Sequence, residues 1–360
     1  MRVSLLTRVE NAHDDAVWGV SWSPASAGGF LATGSVDESV KIWGDNSASG
    51  GGLEQVHQLL GLELGVLSVS HDPSGTYGAC TSMDAVINAW DASSRQGRAR
   101  IERAPAEAWG CCFCPLLSAP PTLAVAAGAA NAVAIYDVRG TSDAQAAAAA
   151  AAAGGGAKDE AGGEGDETPG PAKGAEAAAA SAVAPVPTVL PLPRADGRPS
   201  TGQEFALSVS WSPDGRLLAV GSMDGSVALF DAVRAAPLGL LEGHSRPVRS
   251  LAFTPDSRHL ITACDDQHAR IFDAGGRHLV AAISGHQAWV TSVDVHPSGD
   301  SFVTASADGR TRIWDFGTRT LAQTLSDHED QVWGVAYAPG GGRLATVSDD
   351  ASVCLYTVQA

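Results

Sequence analysis

The 360-residue chain carries 23 Lys and Arg against 40 Asp and Glu, for a formal net charge of −17 and a pI near 4.8. A chain this acidic, with no Lys/Arg run or basic stripe, repels a phosphate backbone, so direct nucleic-acid binding is not expected. No run of about 18 apolar residues can cross a bilayer, and the opening MRVSLLTRVENAHDD is too polar for a signal peptide, which leaves cytoplasm or nucleus as the expected compartment.

Residues 2–8, RVSLLTR, alternate loosely and read as one strand. Three short runs rich in β-branched and aromatic residues follow, separated by turn residues, and the same pattern then recurs along the chain. Its clearest copy is GHQAWVTSVDVHPSGDSFVTASADGRTRIWD at 285–315, which opens on Gly-His and closes on Trp-Asp. Histidines at 244, 286 and 328 are 42 residues apart. The closing aromatic returns at Trp43, Trp90, Tyr136, Phe230, Phe272, Trp314 and Tyr356. A period of about 40–45 residues with these ends marks a WD-repeat β-propeller with four strands per blade.

Unit one holds His13, Thr33, Asp37 and Trp43. The Asp precedes the aromatic by six residues, the Thr precedes the Asp by four, and the His stands in the loop before the first strand. Such side chains form a buried hydrogen-bond chain in which each polar group has a partner. Unit two keeps Asp84 and Trp90 but has Leu62 for the His and Cys80 for the Thr. Unit three has Ala130 at the Asp position, and unit four keeps only Asp224, beside Val220 and Phe230. Unit five has His244, Thr262 and Asp266 with Phe272, which offers no N–H. Unit six is complete, with His286, Thr304, Asp308 and Trp314. Unit seven has His328, Thr346 and Asp350 with Tyr356.

The expected fold is therefore all-β: a seven-bladed WD-repeat β-propeller closed by the N-terminal strand, with a disordered insert. The last unit ends after its third strand, so residues 2–8 are expected to supply its outer strand and close the ring. Residues 1–137 form blades one to three, 138–203 a low-complexity Ala/Gly/Pro-rich insert, and 204–360 blades four to seven. The insert buries too little apolar surface to offset its ordering entropy. It emerges before the outer strand of blade three, expected near 186–192, VPTVLPL.

No catalytic constellation is expected. The hydroxyl–imidazole–carboxylate set of unit one has the residue types of a nucleophile triad, yet it recurs in units five, six and seven, as a structural device does. No metal or cofactor motif is present, and Cys111-Cys112-Phe113-Cys114 lacks zinc-site spacing. The six cysteines read as small strand residues in a reducing compartment. The partner signal lies elsewhere. Five residues after each His position stand Trp18, Leu67, Trp109, Ser208, Arg249, Thr291 and Trp333, where the chain enters the innermost strand. Trp289 lies nearby in unit six, and Met83 and Met223 precede turn aspartates on the same face. Trp and Arg dominate binding hot spots, so Trp18, Leu67, Trp109, Arg249, Trp289 and Trp333 are the expected partner-binding residues.

The segments AHDDAVWGVSW at 12–22, SMDAVINAWD at 82–91, AEAWGCCF at 106–113, LEGHSRPVRSLAFTPDSRHLITACDD at 241–266, SGHQAWVTSV at 284–293 and GTRTLAQTLSDHEDQVWGVAY at 317–337 carry a closer resemblance. The chain resembles the small WD-repeat subunit shared by the superkiller (Ski) complex and, in animals and plants, the polymerase-associated factor (Paf) complex. That resemblance implies a non-catalytic scaffold that is itself a monomeric propeller within a hetero-complex. In the cytoplasm its partners would be a tetratricopeptide-repeat scaffold and a helicase, feeding mRNA to the exosome. In the nucleus they would be polymerase-associated factor subunits, acting in transcription elongation and histone modification. The long insert and the Gly-rich loop at 50–52 depart from the family pattern. Two other classes fit a generic propeller: a substrate receptor of a ubiquitin ligase, and a G-protein β-like subunit, whose N-terminal coiled coil residues 1–12 are too short to form.

Overall fold

A computed structural model of the protein describes residues 2–24, 29–46, 52–138, 187–193 and 205–359. Among these residues, seven four-stranded antiparallel sheets follow one another as blades. Their first strands are Val17–Trp22, Val66–His71, Cys111–Phe113, Ala206–Trp211, Val248–Phe253, Val290–Val295 and Val332–Tyr337. Each lies against the first strands of the blades on either side, so these seven line a central channel and the ring closes on itself.

A blade has two apolar faces and must bury both. Seven hydrophobic clusters do this, each drawing residues from two adjacent blades. Between blades seven and one, for example, Ala345, Val347, Val353 and Leu355 meet Val17, Leu31 and Trp43. The closing aromatics of all seven units are buried in these interfaces.

First strands have a free edge toward the channel, and short side chains cap it. Ser68 Oγ accepts the Cys111 N–H at 3.2 Å, and Ser70 Oγ the Phe113 N–H at 3.2 Å. Ser250 does the same for Val293 at 3.3 Å and Asp294 for Tyr337 at 2.7 Å. Where glycine replaces serine the backbones come together directly, as in Gly110 N–H to Leu207 O at 3.0 Å. Edge groups that would otherwise template aggregation are thus spent between blades.

The closing strand is Arg2–Val9, paired with Val353–Gln359 from Arg2↔Gln359 to Val9↔Val353, as the count of strands in the last unit requires. Val3 is buried in the cluster between blades six and seven. The Gln323 amide of blade six clasps its backbone, accepting the Val3 N–H at 3.0 Å and donating to the Val3 carbonyl at 2.6 Å.

The outer strand of blade three is Thr188–Pro191, inside the expected 186–192 window and paired Ala132↔Pro191 to Ile135↔Thr188. Among the described residues its far edge has no neighbour, so Pro191 forfeits no ladder bond. Leu190 and Leu192 are buried, as is Val138, whose N–H bonds Pro121 O at 3.0 Å. Of the expected 138–203 insert, then, Val138 and 187–193 belong to the propeller, and the remainder lies outside the described residues, as do 50–51 of the Gly-rich loop. First strands start on the face of the His loops, and strands alternate in direction. Val138 and Pro187, the two ends of the 139–186 segment, therefore stand on the opposite face.

Deleting residues 1–9 removes the fourth strand of blade seven and exposes a long unpaired edge next to buried Tyr356 and Cys354. The expected outcome is an unfolding temperature lower by about 10 °C or more together with self-association, measured by circular dichroism melting and size-exclusion chromatography.

Candidate protein-interaction face

The hydrogen-bond networks are built as the sequence spacing requires. In blade one, His13 Nε2 and Thr33 Oγ1 are 2.7 Å apart, His13 Nδ1 and Asp37 Oδ2 2.8 Å, and Trp43 Nε1–H donates to Thr33 Oγ1 at 2.8 Å. Blade six repeats this with His286–Thr304 at 2.7 Å, His286–Asp308 at 3.1 Å and Trp314–Thr304 at 2.9 Å. Blade five keeps His244–Thr262 at 2.6 Å and His244–Asp266 at 2.9 Å, and with Phe272 in place of Trp the Thr262 hydroxyl lies 3.3 Å from the Arg270 carbonyl. Blade seven keeps His328–Thr346 at 2.6 Å and His328–Asp350 at 3.1 Å, while the Tyr356 hydroxyl turns to Asp327, donating at 3.1 Å.

Cations complete these networks, and sequence reasoning missed them. Arg312 Nη1 donates to Asp308 Oδ2 at 2.7 Å and Arg270 Nη1 to Asp266 Oδ2 at 2.5 Å. The available signal was an Arg four residues after the turn Asp in both blades. Blade seven has Cys354 there, and Arg8 of the closing strand reaches Asp350 instead, at 3.4 Å. Burial pushes the carboxyls of Asp37, Asp266, Asp308 and Asp350 up, but hydrogen bonds from the imidazoles, from Ser39 and Ser352, and from backbone N–H groups outweigh it. All four stay below the ordinary value of 3.8. Burial lowers His13, His244 and His286 below 6.5, against the pull of their aspartates.

Blade two shows what the loss of the network costs. Trp90 is fully buried, and with Cys80 at the Thr position its Nε1–H has no acceptor. Asp84 is reduced to bracing its own turn through Ser82 and the Val86 N–H. Gly78 lies under the Trp90 ring, which any Cβ there would overlap. In blade three Val125 takes the register of Thr33, and in blade four Val220 does, so neither blade offers a hydroxyl there.

At the channel mouth on the His-loop face, four of the six expected partner residues form one cluster. The Trp18 and Trp333 rings pack at 5.6 Å, tilted by 46°, and Trp18 Nε1–H donates to Asp349 Oδ1 at 3.1 Å. The Arg249 guanidinium carbon lies 5.1 Å from the Trp289 ring centre and 5.6 Å from that of Trp333. Trp18, Trp333 and Arg249 are half-buried, and Trp289 is 43% exposed. The other two expected residues stand apart. Trp109 packs edge-on against Phe205 at 5.2 Å and rests on the cluster between blades three and four. Leu67 lines the channel, which holds about 650 Å³, together with Met83. Met83 and Met223 are exposed, at 48% and 41%.

One assignment in this ring is corrected. Val209 pairs with Val220 as Val20 pairs with Thr33, so Leu207, and not Ser208, occupies the Trp18 position in blade four. Unit four has no His to count from, which allowed the one-residue slip. Ser208 turns instead toward blade five, donating to Val248 O at 3.0 Å. The ring position thus carries Trp18, Leu67, Trp109, Leu207, Arg249, Thr291 and Trp333.

Seven such blades, four of them riveted by His, Thr and Asp at fixed registers, define a WD-repeat propeller. The WD domain, G-beta repeat family matches residues 4–44, 200–231, 235–273, 277–315 and 319–357, more than half of the chain, and the chain belongs to that family. The unmatched stretch, 45–199, covers blades two and three, two of the three blades from which the His and Thr have gone, and includes the long segment before the outer strand of blade three. The chain is similar to the WD repeat-containing protein VIP3 of Arabidopsis thaliana, 37% identical over 257 residues that make up 70% of this chain and 64% of that protein. It is also similar to the WD repeat-containing protein SL1-17 of Schistosoma mansoni, 28% identical over 108 residues, 29% of this chain and 35% of that one. The matched region spans less than two thirds of either relative.

Two outcomes follow from the networks. Cys80→Thr gives the Trp90 indole an acceptor, and because Cys80 pairs with Asn88 as Thr262 pairs with Arg270, the Asn88 carbonyl stands where the Arg270 carbonyl meets the Thr262 hydroxyl at 3.3 Å. It is expected to stabilise the protein by about 1 kcal/mol, raising the melting temperature by roughly 2 °C; a lower melting temperature would show that packing of the added methyl outweighs the bond. Stability is also expected to fall with acid. Below pH 6.5 the unfolded histidines take up protons that buried His13, His244, His286 and His71 (lowered to about 4) refuse. Asp294, which burial raises to about 6, opposes this, because folding favours its proton between about pH 6 and 4. Below pH 3.8 the four network carboxylates add to the loss. Melting temperatures from pH 8 to pH 4 test this, and a flat profile contradicts it.

Proposed function

We propose that this chain is a non-catalytic scaffold subunit that holds an apolar or aromatic-bearing segment of a partner protein on the face of Trp18, Trp333, Arg249 and Trp289. The observation that carries the reading is the cluster itself: three indoles and a guanidinium from blades one, five, six and seven gathered at the mouth of the channel with surface still open to solvent. Hot spots combine Trp and Arg in this way. Val138 and Pro187, which bound the 139–186 segment, stand on the other face.

Catalysis is not part of the proposal. The hydroxyls that could act as nucleophiles, Thr33, Thr262, Thr304 and Thr346, are each wholly buried and already bonded to an imidazole. A substrate cannot reach them without opening a blade.

The assembly proposed is the one to which the sequence resemblance points. It is the superkiller complex with its tetratricopeptide-repeat scaffold and helicase in the cytoplasm, the polymerase-associated factor complex in the nucleus, or both. Kinship with the plant WD repeat-containing protein VIP3 supports a scaffold role of this kind.

Affinity purification with mass spectrometry from nuclear and cytoplasmic fractions is expected to recover subunits of one or both complexes, and recovery of neither overturns that assignment. A Trp18→Ala/Trp333→Ala variant with unchanged circular dichroism is expected to bind the recovered partner more than about tenfold more weakly. Undiminished binding would refute the assignment of the face.

A further inference from the structure

The three indoles of the cluster are held by unequal means. Trp18 is anchored by its hydrogen bond to Asp349 and by the Trp333 ring. Trp333 has Trp18 on one side, and its buried Nε1 makes no hydrogen bond. Trp289 is the most exposed of the three, and the guanidinium of Arg249 is the group that packs on its ring. Arg249 belongs to blade five, Trp289 to blade six and Trp333 to blade seven. The blade-six residue at the ring position is Thr291, small, buried and turned away to Val332 O at 2.5 Å. Arg249 therefore reaches across blade six, over the space that a larger residue at 291 would fill.

Its reach is directed by a second contact. Asp265, itself buried, takes both Arg249 Nε at 2.5 Å and Nη2 at 2.8 Å. A bidentate carboxylate fixes the plane of a guanidinium, and a planar guanidinium can lie against an indole face as an ammonium cannot.

We propose that Arg249, oriented by Asp265, is a positioning residue for the partner site: it holds the Trp289 and Trp333 rings in their binding arrangement before the partner arrives. The proposal rests on the reading of this face as the partner site. Affinity gained in this way comes from ordering freedom already given up in the free protein.

The experiment has one arm on the free protein and one on the complex. In the free protein, the indole N–H resonances of Trp289, Trp333 and, as a control in a separate network, Trp314 are assigned with single Trp→Phe variants. Arg249→Met, Arg249→Lys and Asp265→Asn are then compared with the parent. Arg249→Met is expected to shift and broaden the Trp289 and Trp333 signals and leave Trp314 in place. Arg249→Lys retains the charge but not the fork, and is expected not to restore them. On the partner recovered by affinity purification, Arg249→Met is expected to weaken binding about three- to tenfold, the size of one cation–π contact.

Unmoved indole signals in Arg249→Met overturn the proposal, even if affinity falls, because Arg249 then acts by touching the partner. Shifted signals with unchanged affinity overturn it as well. Full rescue by Arg249→Lys shows that charge alone suffices and removes the role of Asp265. If the Trp18→Ala/Trp333→Ala variant keeps its partner, the reading of the face fails, and the positioning role falls with it; that result is separate from the indole arm.

Discussion

A four-stranded blade with two apolar faces cannot be stable alone, and everything else in the molecule follows from that. The blades solve it by stacking, and the stack has no unsatisfied end only if it closes. Closure falls to one strand, Arg2–Val9, whose Val3 fills the interface between blades six and seven. Two contacts show that this strand is more than an added edge. Gln323 of blade six imitates a backbone partner for Val3, and Arg8 supplies the cation that blade seven lacks at Cys354. The chain terminus thus completes a packing interface, a sheet and a hydrogen-bond network together.

Within this frame the polar networks settle a local problem. The closing aromatics bury a polar N–H or O–H along with their large apolar rings, and burial without a partner is costly. Blades one and six give the indole a threonine, and blade seven gives its phenol Asp327. Blades four and five carry Phe and have nothing to satisfy. Among the closing aromatics, Trp90 of blade two is the Trp left without an acceptor, and its Tyr136 counterpart in blade three also leaves a buried hydroxyl unpaired. The apolar substitutions in these two blades are therefore incomplete: the hydroxyl acceptors have gone, while the aromatic donors remain. The family match passes over these same blades.

Much of this was legible in the sequence because the markers lie within single hairpins. Thr33, Asp37 and Trp43 belong to one strand–turn–strand unit, so their offsets are fixed by antiparallel register and survive in blades five, six and seven. The closing strand and the proline-bounded outer strand of blade three followed from counting strands. Relations between blades were not legible in the same way. The pairing of Arg249 with Trp289 and Trp333 joins three units, and no spacing announces it. The capping of channel edges by Ser68, Ser70 and Ser250 needs the neighbouring strand in place. The Ser208 slip has a third cause. Most first strands shift register at their second residue, as at Val17/Gly19 and Ala206/Ser208, so an offset counted through that point holds only while the His marker is present.

That same irregularity explains why the partner residues sit where they do. Trp18, Leu207, Arg249 and Trp333 all fall at the shift, between two paired residues, where the backbone bends and a side chain need not enter either interface. Nearby residues of the same strand, such as Val17 and Val20, are committed to packing against neighbouring blades. A position freed from the sheet, repeated around a rigid ring and opening at the channel mouth, is one the fold does not dictate. Its occupants vary from Trp to Leu, Arg and Thr, while the buried residue just before each stays Val or Ala. The fold supplies seven such positions on a common scaffold, and three adjacent ones, at blades five to seven, hold Arg249, Thr291 and Trp333. The small Thr291 between them allows Arg249 to cross to the tryptophans. Without that gap the guanidinium would be confined to blade five, and the ring would present isolated side chains instead of one joined surface.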